Sequence, residues 1–461
     1  MKERSTGNTV AVIDGGGRGS TLLRKYAESN HVKRLIGFPS NDLAGLNIDK
    51  EVLIFKEIDG RKLKTTDIAD MLEVCKKYDV ALVDVAQDNA IFEAAVNRLR
   101  KEGFLTVGPT KEAGQIEWSK VWAREFGKKY GLPQPFFNVC HSQQEGFDFI
   151  KSQPDQPWFV KADGLAEGKG GLSAKNNEEA LKRIKEMERF KDVGKTFLIE
   201  EWLKNDDGTP GEEFSTFAYF YNNGKDYEIV GSAQDNKTAN DFDEGENTGG
   251  MGCSSPPYLI TPELMEDIRV NIFDKVVDGL LQESVPYNGI LYLGGMVVKR
   301  NGRLEPYVIE FNARWGDPEA QVIVPAIQND FFELNMTVAQ NGGSKLNIKT
   351  DNSYRIATAG VSKGYPEDYS QVKGKQIFGL RDVGETTNST LYGAGVKVAN
   401  GKDIADGGRL FYVTSEGANV IDAKSKNLAE MARLFIEGNN LHYRKDTGWR
   451  DVARYYTKLK K

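Results

Sequence analysis

The segment Glu310-Phe311-Asn312-Ala313-Arg314-Trp315-Gly316-Asp317-Pro318-Glu319 gathers a carboxylate, an amide, a guanidinium and two further acids into ten residues. Just upstream, Arg300-Asn301-Gly302-Arg303 has the composition of a two-residue hairpin, because Asn-Gly supplies the positive φ angles such a turn needs. The run from Leu304 to Asn312 then alternates as a strand. Side chains two apart on a strand share a face, so Glu310 and Asn312 are expected on one side, with Ile309 and Phe311 turned into a core. An acid beside an amide offers hard oxygen ligands, which suit Mg²⁺ (or Mn²⁺) shared between protein and nucleotide phosphates. A bare Glu-x-Asn would read as an ordinary polar strand face. With Arg314 and Asp317-Pro318-Glu319 behind it, the pair reads as a metal site.

Two glycine-dense stretches could serve the same chemistry. Phe159 to Gly170 reads as a strand and a turn containing Gly164, Gly168, Lys169 and Gly170, followed by a second strand from Gly171 to Ala174. Glycines let backbone N–H groups approach phosphate oxygens, and Lys161 and Lys169 add point charges. It is not a P-loop, since Gly170 stands where a Ser or Thr would be needed after the lysine. A glycine-lysine hairpin alone is more often a mobile loop than a nucleotide clamp. Lys161, directly after two apolar strand residues and close before the glycine turn, favours the site. The second stretch, Gly245 to Gly252, has a backbone that could hold a carboxylate or an acyl phosphate. Between them, Thr196 to Glu201 reads as a strand running into Trp202-Leu203, a linker able to face an adenine edge. Glu212 or Glu213 could accept ribose hydroxyls, a signal barely above background on its own.

These groups need several folded units to hold them. At 461 residues the chain is too long for one ordinary domain, and 39% hydrophobic with 28% charged residues is a globular profile. Val10-Ala11-Val12-Ile13, Arg34 to Phe38, Ala81 to Val85 and Leu105 to Val107 are short apolar runs alternating with amphipathic helices near Thr21–Ser29 and Ala90–Lys101. That alternation predicts a doubly wound parallel sheet over residues 1–115, with ligands at the carboxyl ends of its strands. A helix from Lys111 to Tyr130 leaves it, with Trp118, Trp122 and Phe126 as a core stripe. Residues 131–335 are β-rich with glycine loops, and 345–461 suggest a small α+β cap with a helix near Ala423–Glu437.

The composition also narrows the partners. A net charge of −6 and no basic arm argue against nucleic acid. The longest early apolar run is too short for a signal or a membrane span. Cys75, Cys140 and Cys253 lack metal spacing and fit a reducing, cytoplasmic setting. Three scattered histidines make a zinc site or a histidine triad improbable.

Read together, the motifs resemble the ATP-grasp ligases, and within them the phosphoribosylamine–glycine ligases of purine synthesis. The matching residues are Gly108-Pro109-Thr110 with Gln115 and Ser119-Lys120, the Lys161 to Gly170 loop, Gln234-Asp235 with Lys237, Asn247 to Gly252, Glu310 to Glu319, and Arg444-Lys445-Asp446 with Gly448 and Arg450. They run in the family's order along nearly the whole chain. The departures cluster in the first domain. Gly19-Ser20 stands where the family has Glu-His, Ser40 where it has glycine, and Gln87-Asp88-Asn89 where it has Pro-Glu-Ala. Asn236 replaces a usual histidine.

The resemblance implies an α/β and α+β multidomain fold. Its parts would be an N-terminal substrate-binding domain over residues 1–115, an ATP-grasp domain over 116–340 with a lid subdomain at about 131–203, and a C-terminal α+β domain over 341–461. It also implies ATP-dependent ligation of glycine to phosphoribosylamine through glycyl phosphate. Glu310 and Asn312 would hold the metal, Lys120 and Lys161 the ATP phosphates, and the Gly164 to Gly170 hairpin would be a lid whose Gly168, Lys169 and Gly170 bind the nucleotide, with Glu200 and Leu203 at adenine and Glu213 at ribose. Arg314 would stabilise the pentavalent phosphorus, Asp317 would orient the amine, and Lys237 belongs to the catalytic set. Gly16, Gly17, Arg18, Asn41 and Asp88, with Asn247-Thr248-Gly249-Gly250-Met251, would hold the substrates. Arg314 could instead pair with Asp317 or Glu319, and Arg444 to Asp446 would secure the cap. Small molecules are the expected partners, for a monomer or small homo-oligomer. The rival readings are a ligase for another amine and a nucleotide-binding relative without catalysis. A dehydrogenase read from Gly15 to Gly19 lacks the fingerprint spacing.

Overall fold

The computed structural model describes residues 8–165 and 170–459. Its first unit is a five-stranded sheet in the order Glu51–Ile54, Arg34–Gly37, Thr9–Ile13, Val80–Val85, Leu105–Val107, parallel throughout. Thr9–Ile13 lies in the middle and is buried along its whole length, as a continuous apolar run in a two-sided parallel sheet must be. The chain winds outward to one side of this strand and then crosses to the other. A crevice therefore opens at the carboxyl ends of Thr9–Ile13 and Val80–Val85, where Asp14 and Gln87 follow. Two expected helices are each broken in two. Ala94 at φ 61° separates Asp88–Phe92 from Ala95–Lys101, and extended Ser119 separates Gln115–Trp118 from Lys120–Lys129. The second break divides the aromatic stripe. Trp122 stacks on Phe126 at 5.0 Å, while Trp118 turns to the edge of Phe92 at 5.5 Å.

A small antiparallel sheet follows in the order Gly171–Ala174, Trp158–Ala162, Phe197–Glu201, Phe137–Cys140. It is backed by the helices Gln143–Ser152 and Asn177–Glu186 and keeps a core of its own, including Trp158, Ile184 and Phe197.

The largest sheet begins with Arg303–Asn312 and passes through Gly289–Arg300, Glu212–Tyr221, Asp226–Asp235 and Gly252–Ser255. It continues without a gap into Tyr354–Ser362, Arg409–Gly417 and Ser389–Gly393. The segment after residue 340, expected as a cap, thus extends the central ladder: Cys253 pairs Asp235 on one side and Ala357 on the other. One hydrophobic core also joins the first unit to the central sheet, since Ile91, Leu99 and Phe104 share it with Phe220, Leu291 and Phe311. The expected combination of a parallel N-terminal sheet with antiparallel sheets behind it is present.

The hairpin at Arg300–Arg303 forms as anticipated, with Asn301 at φ 51° and Gly302 at φ 78°. One strand expectation is corrected here. Ile309 does not point into the core; it lines a cleft with Glu310. The register slips between Gly294 and Gly295, leaving Ile309 as an extra residue between Val308 and Glu310. A bulge shifts the alternation by one, so Val308 and Phe311 share the same core although they are three apart. Among the described residues no helix is long and apolar enough to cross a membrane.

Candidate active site

Glu310 and Asn312 come off the end of their strand beside three lysines and an arginine. Burial alone would push the Glu310 carboxyl up. Lys237, Lys161, Lys120 and Arg314, in that order, overcome it and hold the group below the ordinary carboxylate range. Among the described residues Glu310 has no ion pair and accepts no hydrogen bond, so its oxygens are committed to nothing while four cations surround them. An anionic donor with free lone pairs inside a cationic ring fits a divalent ion shared with phosphates. Asn312 adds a second oxygen, at present accepting from Arg314 Nη2 at 3.0 Å.

Each lysine is placed by an element. Ser119 caps the helix Lys120–Lys129 by accepting from the Trp122 amide at 3.1 Å, and Asp163 accepts from the Val121 amide at 3.1 Å. Lys120 therefore sits at the positive end of a helix, beside the turn that follows Lys161, and donates to the Gly164 carbonyl at 2.8 Å. Burial, with Lys161 nearby, lowers its pKa against the pull of Glu310, Asp163 and Glu117. Lys161 pairs with Glu200 at 2.6 Å. Lys237 pairs with Glu213 at 3.2 Å, and Glu213, Glu310, Asp235 and Glu319 hold its ammonium above the ordinary range. Gly168 and Lys169 lie outside the described residues. Gly170 is described: its carbonyl accepts from the Ala162 amide at 2.9 Å.

Several expected contacts come out differently. Glu200 spends both oxygens on cations, taking Arg124 at 2.6 and 3.2 Å as well as Lys161, and it is 2% exposed. Burial pushes its carboxyl up, but Arg124 and then Lys161 pull it down to about 2. Its side chain is a structural anion, and its backbone lies between the paired strands of Phe137 and Phe159. Leu203 is buried, and its carbonyl accepts from the Gly211 amide at 3.2 Å. Arg314 pairs with neither Asp317 nor Glu319; its partner is Glu117, at 2.9 Å. Asp317 instead faces Arg409 at 3.6 Å and accepts from Gln321 at 2.7 Å. Arg409, with Arg18, Gln321 and Tyr412, holds the Asp317 carboxyl below its ordinary range against burial.

In the loop from Asn247 to Met251, whose backbone is the candidate cradle for a carboxylate or acyl phosphate, four amides have partners within the protein. The Thr248 amide donates to the Lys237 carbonyl at 2.8 Å, and Gly249 to Tyr365 Oη at 3.3 Å. Gly250 donates to Thr248 Oγ1 at 3.0 Å, and Met251 to the Asn236 carbonyl at 2.9 Å. The Met251 side chain is 0% exposed and packs in a core with Tyr392 and Tyr412. Asn247 remains exposed. Gly250, at φ +112°, is required by closeness as well as by conformation. A Cβ there would lie 2.4 Å from Pro318 Cδ and 3.1 Å from both Asp235 oxygens.

In the first unit, Gly16 faces Asp317: a Cβ on it would lie 3.2 Å from Asp317 Oδ2. Gly17 packs on Tyr412. Arg18 is buried and fully engaged, with Asp14 at 2.7 Å, Gln87 at 2.5 Å and the Trp315 carbonyl at 2.8 Å. Asn41 donates to Ser20 Oγ and to the Gly393 carbonyl at 3.0 Å each, and Ser20 donates to the same carbonyl at 2.6 Å. Arg18 ties the first unit to Trp315, and Ser20 and Asn41 tie it to Gly393, so neither Arg18 nor Asn41 points freely at a substrate. Asp88 is less committed. It accepts from the Asn89 amide at 2.7 Å and raises the pKa of both Glu117 and Arg314 from nearby.

Glu117, Asp14, Arg124 and Arg409 are the residues that sequence reasoning passed over. Arg124 lies one helical turn beyond Lys120, a spacing that could have pointed to it. Asp14 directly precedes the glycine run. Glu117 and Arg409 find their partners only through the fold.

With this geometry in hand, the likenesses to known proteins can be placed. Models of three domains of phosphoribosylglycinamide synthetase match the chain in order: the N domain over residues 8–117, the ATP-grasp (A) domain over 118–320 and the C domain over 356–450. The phosphoribosylamine–glycine ligase of Listeria innocua is 34% identical over 443 residues, which make up 95% of this chain and 99% of that protein. The human trifunctional purine biosynthetic protein adenosine-3 is 35% identical over 448 residues. Those residues are 96% of this chain but 42% of the human protein, so the chain spans about two fifths of that relative. The crystal structure of the Thermotoga maritima phosphoribosylamine–glycine ligase superposes with a TM-score of 0.77 at 27% identity, covering 95% of this chain and 100% of that one. The biotin carboxylase domain of a Hydrogenobacter thermophilus carboxylase, in complex with ADP as its magnesium salt, shares the fold with a TM-score of 0.69 at 16% identity, over 94% and 91% of the two chains.

Proposed function

The chain belongs to the phosphoribosylglycinamide synthetase family, and from that premise we propose that it joins glycine to 5-phosphoribosylamine at the expense of ATP in purine biosynthesis. The observation that supports this most is Glu310, an uncommitted carboxylate ringed by Lys120, Lys161, Lys237 and Arg314. In the reaction, a glycine carboxylate oxygen attacks the γ-phosphorus and ADP leaves. The amine nitrogen then attacks the acyl carbon of glycyl phosphate and phosphate leaves, forming the amide. No protein nucleophile is needed, because the substrate's own carboxylate attacks.

The chain's part is alignment and charge neutralisation, which phosphoryl transfer requires above all. Glu310 and Asn312 would hold Mg²⁺, which supplies charge neutralisation on the triphosphate when bound. Lys120, Lys161 and Lys237 face the phosphates, and Arg314 lies at the transferring group. Asp317, kept ionised by Arg409, orients the amine at the Gly16 side of the crevice. The small sheet carrying Lys161 closes over the nucleotide and excludes water from the acyl phosphate. Small molecules would be the partners, in the cytoplasm.

A second reading, ligation of a different amine, is favoured by one observation: Arg18, Ser20 and Asn41 are already engaged within the protein. A coupled assay of ADP release decides between the two, using glycine with freshly generated phosphoribosylamine beside a panel of other amines. Turnover dependent on phosphoribosylamine is expected, and ADP release indifferent to it would give the reaction to another amine. Glu310→Ala should lower kcat/KM at least about 100-fold in the same assay. A variant that kept wild-type turnover would remove the proposed metal site.

A further inference from the structure

Glu117 lies in the short helix Gln115–Trp118 and spends both its oxygens on the block that follows the strand Arg303–Asn312. Oε1 pairs with Arg314 Nη2 at 2.9 Å, and Oε2 accepts from the Ala313 amide at 2.7 Å. The ion pair is largely shielded, with side-chain exposures of 7% for Glu117 and 18% for Arg314. It is also one-pronged. Arginine and carboxylate pair best through two parallel bonds, yet here only Nη2 is engaged. Nη1 reaches the Trp315 carbonyl at 3.2 Å, and Nε is buried without a hydrogen-bond partner among the described residues. The same Nη2 also donates to Asn312 Oδ1 at 3.0 Å. If Asn312 gives that oxygen to a cation, Arg314 loses one of its two side-chain partners and keeps the other, the Glu117 carboxylate.

We propose that Glu117 is a positioning residue for phosphoryl transfer: it anchors Arg314 through Nη2, so that the guanidinium keeps its place beside the transferring phosphoryl group when Asn312 is taken up by the metal. This rests on the proposed reaction and adds a role outside the phosphate site itself. The surroundings support it. Asp88, Arg18, Arg314, Lys120 and Tyr287 all interact electrostatically with Glu117. Burial, then Asp88, push its carboxyl up to about 7, against the pull of Arg314, the Ala313 amide and Arg18. Near neutral pH its charge therefore depends on Arg314, the strongest of the groups that pull it down.

The test is a double-mutant cycle on the full chain with E117Q, R314M and the pair, read as kcat and KM for ATP with whichever amine supports ADP release. E117Q is expected to lower kcat by about 10–100-fold while leaving KM for ATP within about twofold, the size typical of losing an outer support. In the R314M background E117Q should cost nothing further, and E117D should recover several-fold of the loss. Losses that multiply in the double variant, or an E117D no better than E117Q, overturn the proposal. Wild-type turnover with phosphoribosylamine tests the reaction itself and only the ratios among variants test Glu117, so the two failures are told apart.

Discussion

At Glu200 and Glu310 the same contest between burial and charge has two outcomes. Glu310 is held ionised by a ring of cations that do not touch it, so it remains available; Glu200 is held by direct contact and is not. Glu200→Gln should therefore be chiefly a stability lesion, leaving Arg124 and Lys161 buried with half a partner, at a cost of about 3–5 kcal/mol. The sign with pH follows from the depressed carboxyl, ordinarily near 4.5 and here about 2. Its contribution, about 3 kcal/mol, is complete above 4.5 and is lost as pH falls from 4.5 through 2. Urea unfolding of wild type and variant should differ most at neutral pH and converge towards pH 2, and a gap that persisted there would refute the pairing argument. Residue types spoke plainly in the sequence where chemistry is concentrated, as from Glu310 to Glu319. They were silent at Glu117 and Arg409, because an ordinary acid or arginine acquires meaning only from a partner nearly a hundred or more positions away.

Elements were legible where local rules suffice. Asn301-Gly302 specifies its turn unaided, and the apolar runs of the first unit specify its sheet. The bulge at Ile309 was not legible, because period-two alternation carries no mark of an extra residue; the cause lies on the partner strand. There Gly295 lets Phe214 lie against the backbone, and a Cβ in its place would come within 2.3 Å of the ring. Gly295→Val should overpack this contact and lower stability by about 1–3 kcal/mol, measured by chemical denaturation. It should also depress turnover, since the slipped register is what aims Ile309 and Glu310 into the cleft. A variant as stable and as active as wild type would show that the bulge does not depend on this glycine. The break at Ser119 was equally hidden, although it is what aims Lys120: serine caps are common, and nothing local says that Asp163 completes this one.

Over the whole molecule, the first unit and the long sheet share a core, whereas the small sheet from Phe137–Cys140 to Gly171–Ala174 keeps its own. Separate cores permit separate opening. Hydrogen exchange should accordingly slow in Trp158–Ala162 and Phe197–Glu201 when MgADP is added, with little change in Thr9–Ile13. Equal slowing everywhere would argue against a closing lid. The continuity of the long sheet into Tyr354–Ser362 escaped the sequence because strand pairing across a hundred residues leaves no periodic trace. The Gly393 carbonyl that takes Ser20 and Asn41 lies 373 positions beyond Ser20. At the usual pace of translation a ribosome covers that distance in roughly 20–75 s. Throughout that interval the nascent first unit must wait with Ser20 and Asn41 unfastened, and a chain cut short before Gly393 would never receive its latch.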